Sequence, residues 1–184
     1  MPDLITKKQF AACFPHARAA DIEKYWPYAI EVLTRYDITN KRRVAAFFAQ
    51  ICHESGSLRY NHEIASGEAY EGRKDLGNEF PGDGVKYKGT GLIQLTGREN
   101  FKLLGLAFGQ DFINQPELLL EPKWSFMSAG WFWNTRALNR IADIDGFLTI
   151  SKKINGVNKS TGFPNGWADR QICWEICKKA LNVV

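Results

Sequence analysis

A chain of 184 residues with 45% hydrophobic and 24% charged residues is long enough to bury one core and too apolar to be disordered. Its net charge of +4 favours anionic partners only weakly. Its basic residues are dispersed, with no aromatic-plus-basic motif, which argues against a nucleic-acid partner.

Helical signals dominate in chain order. Thr6 and Gln9 have capping-box spacing ahead of Phe10, predicting a short first helix. Asp21 is a candidate cap for a second helix running to Tyr36, with Pro27 tolerable only near its beginning. Thr39 or Asn40 opens a third helix, Lys41 to Ser55, which Gly56 closes. From Leu58 to Gln94 the helical period disappears and glycines become frequent, predicting loops with short strands. Thr96 and Glu99 repeat the capping-box spacing before a helix that carries Phe101, Leu103, Leu104 and Leu106. Further helices are predicted at Pro122 to Arg136, Gly146 to Ile154 and Trp167 to Leu181, the last with Asn165 as a cap. The expected architecture is a single mainly α domain over 1–184, with a loop or β-hairpin lobe at about 57–95 bordering a cleft.

The segment Met1 to Phe14 lacks the apolar stretch of a secretory signal. The longest apolar run, Val44 to Cys52, is broken by Gln50 and reaches about half of a membrane span. The expectation is a chain made in the cytoplasm, without stable membrane insertion. Cys13, Cys52, Cys173 and Cys177 are then expected as free, mostly buried thiols. With His16, His53 and His62 far from Cys173 and Cys177 in sequence, no metal site and no cofactor is expected.

The chemistry centres on Glu54. In the third helix Val44, Phe47, Phe48, Ile51 and Cys52 form one apolar side, and Glu54 falls at its edge. A carboxyl held against apolar surface resists ionisation and can keep a proton at neutral pH, as a general acid must. Glu63 follows nine residues later. On one continuous helix that spacing would separate the pair by roughly 13 Å, so a turn at Gly56 is needed to bring them closer. An inverting glycosidase holds its carboxyls about 6.5 to 9.5 Å apart. Glu68, Glu71, Asp75 and Glu79 remain rival candidates for the base. His53 beside Glu54 does not complete an HExxH metal motif, because Ser57 stands where the second His is required. Nor is Gly84 to Thr90 a phosphate loop, since Thr90 occupies the position of the required Lys. In the segment Tyr87 to Thr96, strand alternation would put Gln94 and Thr96 on one face, available to sugar hydroxyls or a water.

The run Phe48 to Gly56, the segment Tyr87 to Thr96 and the late Ile154, Asn155 and Gly156 together resemble glycoside hydrolase family 19, over roughly residues 40 to 110 and 145 to 182. The resemblance implies a two-lobed, lysozyme-like fold and inversion at the anomeric carbon. It implies Glu54 as general acid, Glu63 as base and Thr96 as a holder of the attacking water. It also implies that Tyr87, Gln94, Asn155 and Arg170 line the sugar cleft or support the carboxylates. Ser57, Thr90 and the longer stretch Val157 to Pro164 depart from the family pattern, mostly at cleft contacts.

Within that family the short chain resembles the phage and prophage endolysins. This implies a lysozyme-type enzyme, acting as a monomer on the glycan strands of bacterial peptidoglycan after release through a separate pore-forming protein. A chitinase acting on N-acetylglucosamine polymers is the alternative, and a glycan-binding protein without catalysis is the third.

Overall fold

The computed structural model describes residues 4–183; Met1 to Asp3, part of the segment where no secretory signal is expected, and Val184 lie outside the described residues. Helix α1 (Lys7–Cys13) begins at the expected capping box, with the Thr6 side chain accepting from the Gln9 amide. Helix α2 (Ala19–Arg35) starts earlier than Asp21. Its N-cap is Arg18, whose side chain offers no cap bond, and Asp21 instead sits in the first turn. There it accepts from Arg18 at 2.6 Å and pairs with Lys24 at 3.0 Å. Pro27 lies inside α2 rather than near its start. Both Pro27 and Glu23, whose carbonyl the proline leaves without an amide, are exposed, so water can satisfy it.

Helix α3 (Lys41–Glu54) is capped by Asn40, which accepts from the Arg43 amide at 2.9 Å. Every residue from Val44 to Cys52 is buried, so the expected one-sided stripe is in fact a helix enclosed on all sides. It packs against α1, against α7 (Leu138–Asp143) and most extensively against α9 (Trp167–Leu181). Phe47 meets Trp133 edge to face at 5.2 Å, and Phe48 meets Phe10 at 5.3 Å. The aromatic-rich composition therefore chiefly fills the core.

Helix α6 (Pro122–Thr135) is also buried along most of its length and crosses α2 at Gly130. A Cβ added at Gly130 would lie 2.5 Å from both the Tyr36 ring and Val32. Gly130→Ala is expected to destabilise the protein by about 1–2 kcal/mol, overpacking outweighing the better helix propensity of Ala. Calorimetry should show a lower unfolding midpoint; an unchanged or higher one refutes the close crossing.

The segment between α3 and α5 (Arg98–Phe108) is a lobe of turns, with α4 (Asp83–Lys86) and 3-10 turns at Glu68–Tyr70 and Lys74–Leu76. The anticipated hairpin reduces to single antiparallel bridges, His62 to Thr90 and Thr90 to Leu95. Thr96 does not cap α5: its N-cap is Gly97 at φ +94°, and the Thr96 hydroxyl donates to the Gln94 carbonyl at 3.0 Å. The lobe has a polar centre in place of an apolar one. Asp83, 2% exposed, takes two bonds from Arg98 at 2.6 and 2.8 Å and two more from the Glu79 and Phe80 amides. Buried Asn78 links the Tyr70 carbonyl to the Arg98 amide.

Helix α8 (Phe147–Asn155) ends at the cleft. Asn165 does not cap α9; that position falls to Gly166 at φ +68°, a left-handed conformation suited to glycine. A Cβ there would lie 2.3 Å from the His53 ring, so glycine also lets the start of α9 approach α3.

Candidate active site

Glu54 is the last residue of α3, where Gly56 at φ +54° turns the chain away from the helix. Its side chain is 14% exposed and accepts a bond from Nη2 of Arg170 at 2.6 Å. Arg170 is fully buried in α9 and donates also to Gln50 at 2.6 Å and to the Asn165 carbonyl at 3.1 Å. Gln50, one turn before Glu54, donates onward to Ser151 of α8 at 2.7 Å, and Ser151 donates to the Phe147 carbonyl. Three helices thus hold one carboxylate in a single orientation through a network with every buried side chain partnered among the described residues. Where the sequence suggests an apolar setting for Glu54, the contact the structure gives its carboxyl is with the buried Arg170 guanidinium.

Glu63 comes from the lobe. It accepts from the Tyr70 hydroxyl at 3.0 Å on one oxygen and from the Gly89 amide at 2.8 Å on the other. Its own amide donates back to the Gly89 carbonyl. Glycine suits this approach, since a Cβ at Gly89 would lie 2.9 Å from the Glu63 carboxylate. Burial, and next the bond to Glu63, hold the Tyr70 phenol above its ordinary range, so it remains a donor.

Both carboxylates line one open cavity of about 400 Å³, together with Gln94, Thr96 and Asn155. Gln94 is in a left-handed conformation, φ +53°, and its amide donates to the Gly91 carbonyl, so a tight turn rather than strand alternation presents it and Thr96 to the cleft. Asn155 at the end of α8 accepts from the Asn165 amide at 2.8 Å. Tyr87 is elsewhere: its ring is fully buried against Phe101, and its hydroxyl donates to the Ile113 carbonyl at 3.0 Å. It supports the lobe and does not line the cleft.

None of the rival carboxylates Glu68, Glu71, Asp75 and Glu79 is among the residues lining the cavity; Glu71 accepts from the Gly82 and Gly84 amides and Asp75 pairs with Arg73. Tyr70 and Arg73 do line it and were not singled out from sequence, since nothing in a glycine-rich loop marks which side chains fold inward. Gln50 had a signal: a polar side chain inside an apolar helix must find a partner if buried. His53 lies outside the cavity and pairs with Asp169 at 2.5 Å. Among the described residues no group of three or more His, Cys, Asp or Glu could hold a metal, and no helix is long and apolar enough to cross a membrane.

A pair of carboxylates lining one cleft is what most glycoside hydrolases use for acid/base cleavage. The family model described as chitinase class I, glycoside hydrolase family 19, matches residues 32–164. The chain belongs to glycoside hydrolase family 19. It is 39% identical over 133 residues to an acidic 27 kDa endochitinase of Solanum lycopersicum, a match covering 69% of this chain and 51% of the relative. It is 37% identical over 127 residues to an acidic endochitinase of Beta vulgaris, covering 67% and 43%. The chain thus spans about half the length of these curated relatives. In structure it is similar to chitinase C of Streptomyces griseus, with a TM-score of 0.81 at 25% identity, covering 97% of this chain and 93% of that one. A class IV chitinase of Zea mays matches its fold with a TM-score of 0.76 at 23% identity, covering 98% and 94%.

Proposed function

We propose that the chain is a chitinase that hydrolyses polymers of N-acetylglucosamine by a single inverting displacement. The observation that carries this is the pair Glu54 and Glu63 lining one cavity, each held by donors from a different part of the fold. Glu54 protonates the departing glycosidic oxygen. Glu63 takes the proton of a water that attacks the anomeric carbon from the opposite face, and Thr96 helps to hold that water. Arg170 positions Glu54, Tyr70 positions Glu63, and Gln94 and Asn155 meet sugar polar groups. The endochitinase names of the relatives support chitin as substrate. The second reading, the glycan strand of peptidoglycan, draws on the net charge of +4, which favours an anionic wall.

Purified protein should turn over N-acetylglucosamine oligomers faster than peptidoglycan glycan strands of matched length. Faster cleavage of the wall strands would transfer the chain to the second reading, and cleavage of neither would remove both. Proton NMR of early products from a β-linked oligomer should show the α anomer first. A first-formed β anomer, or a covalent adduct at Glu63, would overturn inversion.

A further inference from the structure

On the flank of α3 away from the Arg170 network, a second cavity of about 240 Å³ is lined by Cys52, Ser57, Asp169 and Cys173. Cys52 lies two residues before Glu54 on α3, and Cys173 three residues after Arg170 on α9. The two helices that carry the Glu54–Arg170 pair therefore also carry this pair of free thiols. The Cys173 thiol donates to the Cys52 sulfur at 3.1 Å. Closing that contact to a disulfide bond shortens it by about 1 Å. Both thiols are nearly buried, 4% and 5% exposed, yet both border the cavity, which opens to solvent. Cys13 and Cys177 are fully buried and do not border it.

We propose that Cys52 and Cys173 are a reversible dithiol–disulfide pair, oxidised by a low-molecular-weight disulfide entering this cavity, and that the bond braces α3 against α9 beside Glu54 and Arg170. The Cys52 sulfur attacks one sulfur of the small disulfide and expels a thiolate, leaving a mixed disulfide on Cys52. The Cys173 sulfur then attacks Cys52 and expels the second half. Two electrons and two protons pass from the protein to the small disulfide, which leaves as two thiols. The order follows from the contact itself. The bond received from Cys173 holds the Cys52 thiol below its ordinary range, whereas that same bond and burial push Cys173 up.

Cystamine, a small cationic disulfide, is the probe. After exposure of the folded protein, quenching with an alkylating agent under denaturant and peptide mapping should show a Cys52–Cys173 cross-link, with Cys13 and Cys177 alkylated. Dithiothreitol should restore all four thiols. Cys173→Ser should stop at the mixed disulfide on Cys52. The oxidised protein should melt roughly 5 °C or more above the reduced one, because the bond closes a long loop. Four alkylated thiols, a cross-link through Cys13 or Cys177, or an unmodified Cys52 in Cys173→Ser would overturn the pair. An unchanged or lower midpoint with the cross-link formed would overturn the brace.

Discussion

Glu54→Gln is expected to leave the fold intact and to lower turnover of N-acetylglucosamine oligomers by at least about a hundredfold, the smallest contribution usual for general acid catalysis. The amide keeps the shape of the carboxyl, and its oxygen can still accept from Arg170, whose other bonds to Gln50 and Asn165 are unaffected. What it lacks is a proton to deliver to the leaving oxygen. Circular dichroism should be unchanged, so that the loss is one of chemistry. Residual activity above about a hundredth of wild type would mean that another group donates the proton. Removing Glu63 is a weaker intervention, because bulk water can partly replace a base.

The second large effect is expected far from the reacting atoms. Asp83→Ala should destabilise the lobe by about 3 kcal/mol, at the lower end for breaking a buried ion pair, since Arg98 retains some exposure. Four hydrogen bonds disappear at once, from Arg98, Glu79 and Phe80. Arg98 also packs over the rings of Phe80 and Tyr87, so its displacement disturbs the segment that leads to Gly89 and hence to Glu63. Activity should fall together with the unfolding midpoint, whereas Glu54→Gln should lower activity alone. An Asp83→Ala protein with an unchanged midpoint would refute a structural role for the pair.

The pair also sets an acid limit. The Arg98 guanidinium bonded to Asp83 holds that carboxyl below the ordinary carboxylate range. The folded state therefore binds this proton less readily than the unfolded chain. The stabilisation is fully present above the unfolded carboxylate pKa and is lost as pH falls through the lower folded value. Below about pH 4 wild type should lose stability more steeply than Asp83→Ala, and the two denaturation curves should converge. Parallel curves would remove Asp83 from the account.

The mainly helical body was legible because its signals are local. A Thr6 to Gln9 capping box, Asn40 before Lys41 and Gly56 after Glu54 act over a few residues and need no distant partner. Glu54 could be singled out for the same reason, through the run around it, whereas Glu63 rested on its spacing from Glu54 and on the family resemblance, with other loop carboxylates left as rivals. The tertiary structure decided what depends on distant contacts. Arg170 reaches Glu54 from 116 positions away in the chain, and Gln50 reaches Ser151 from 101. Glu63 differs from Glu68, Glu71, Asp75 and Glu79 in lining the same cavity as Glu54, which depends on how the lobe folds onto the helices. Tyr87 went to the core and Thr96 gave up the α5 cap because, in a lobe built from turns, the strand and helix periods no longer dictate where a side chain points. Local bonds choose helix ends from sequence alone, but the positions of a cleft's side chains follow from which helices pack together, and that is settled only when the whole core closes.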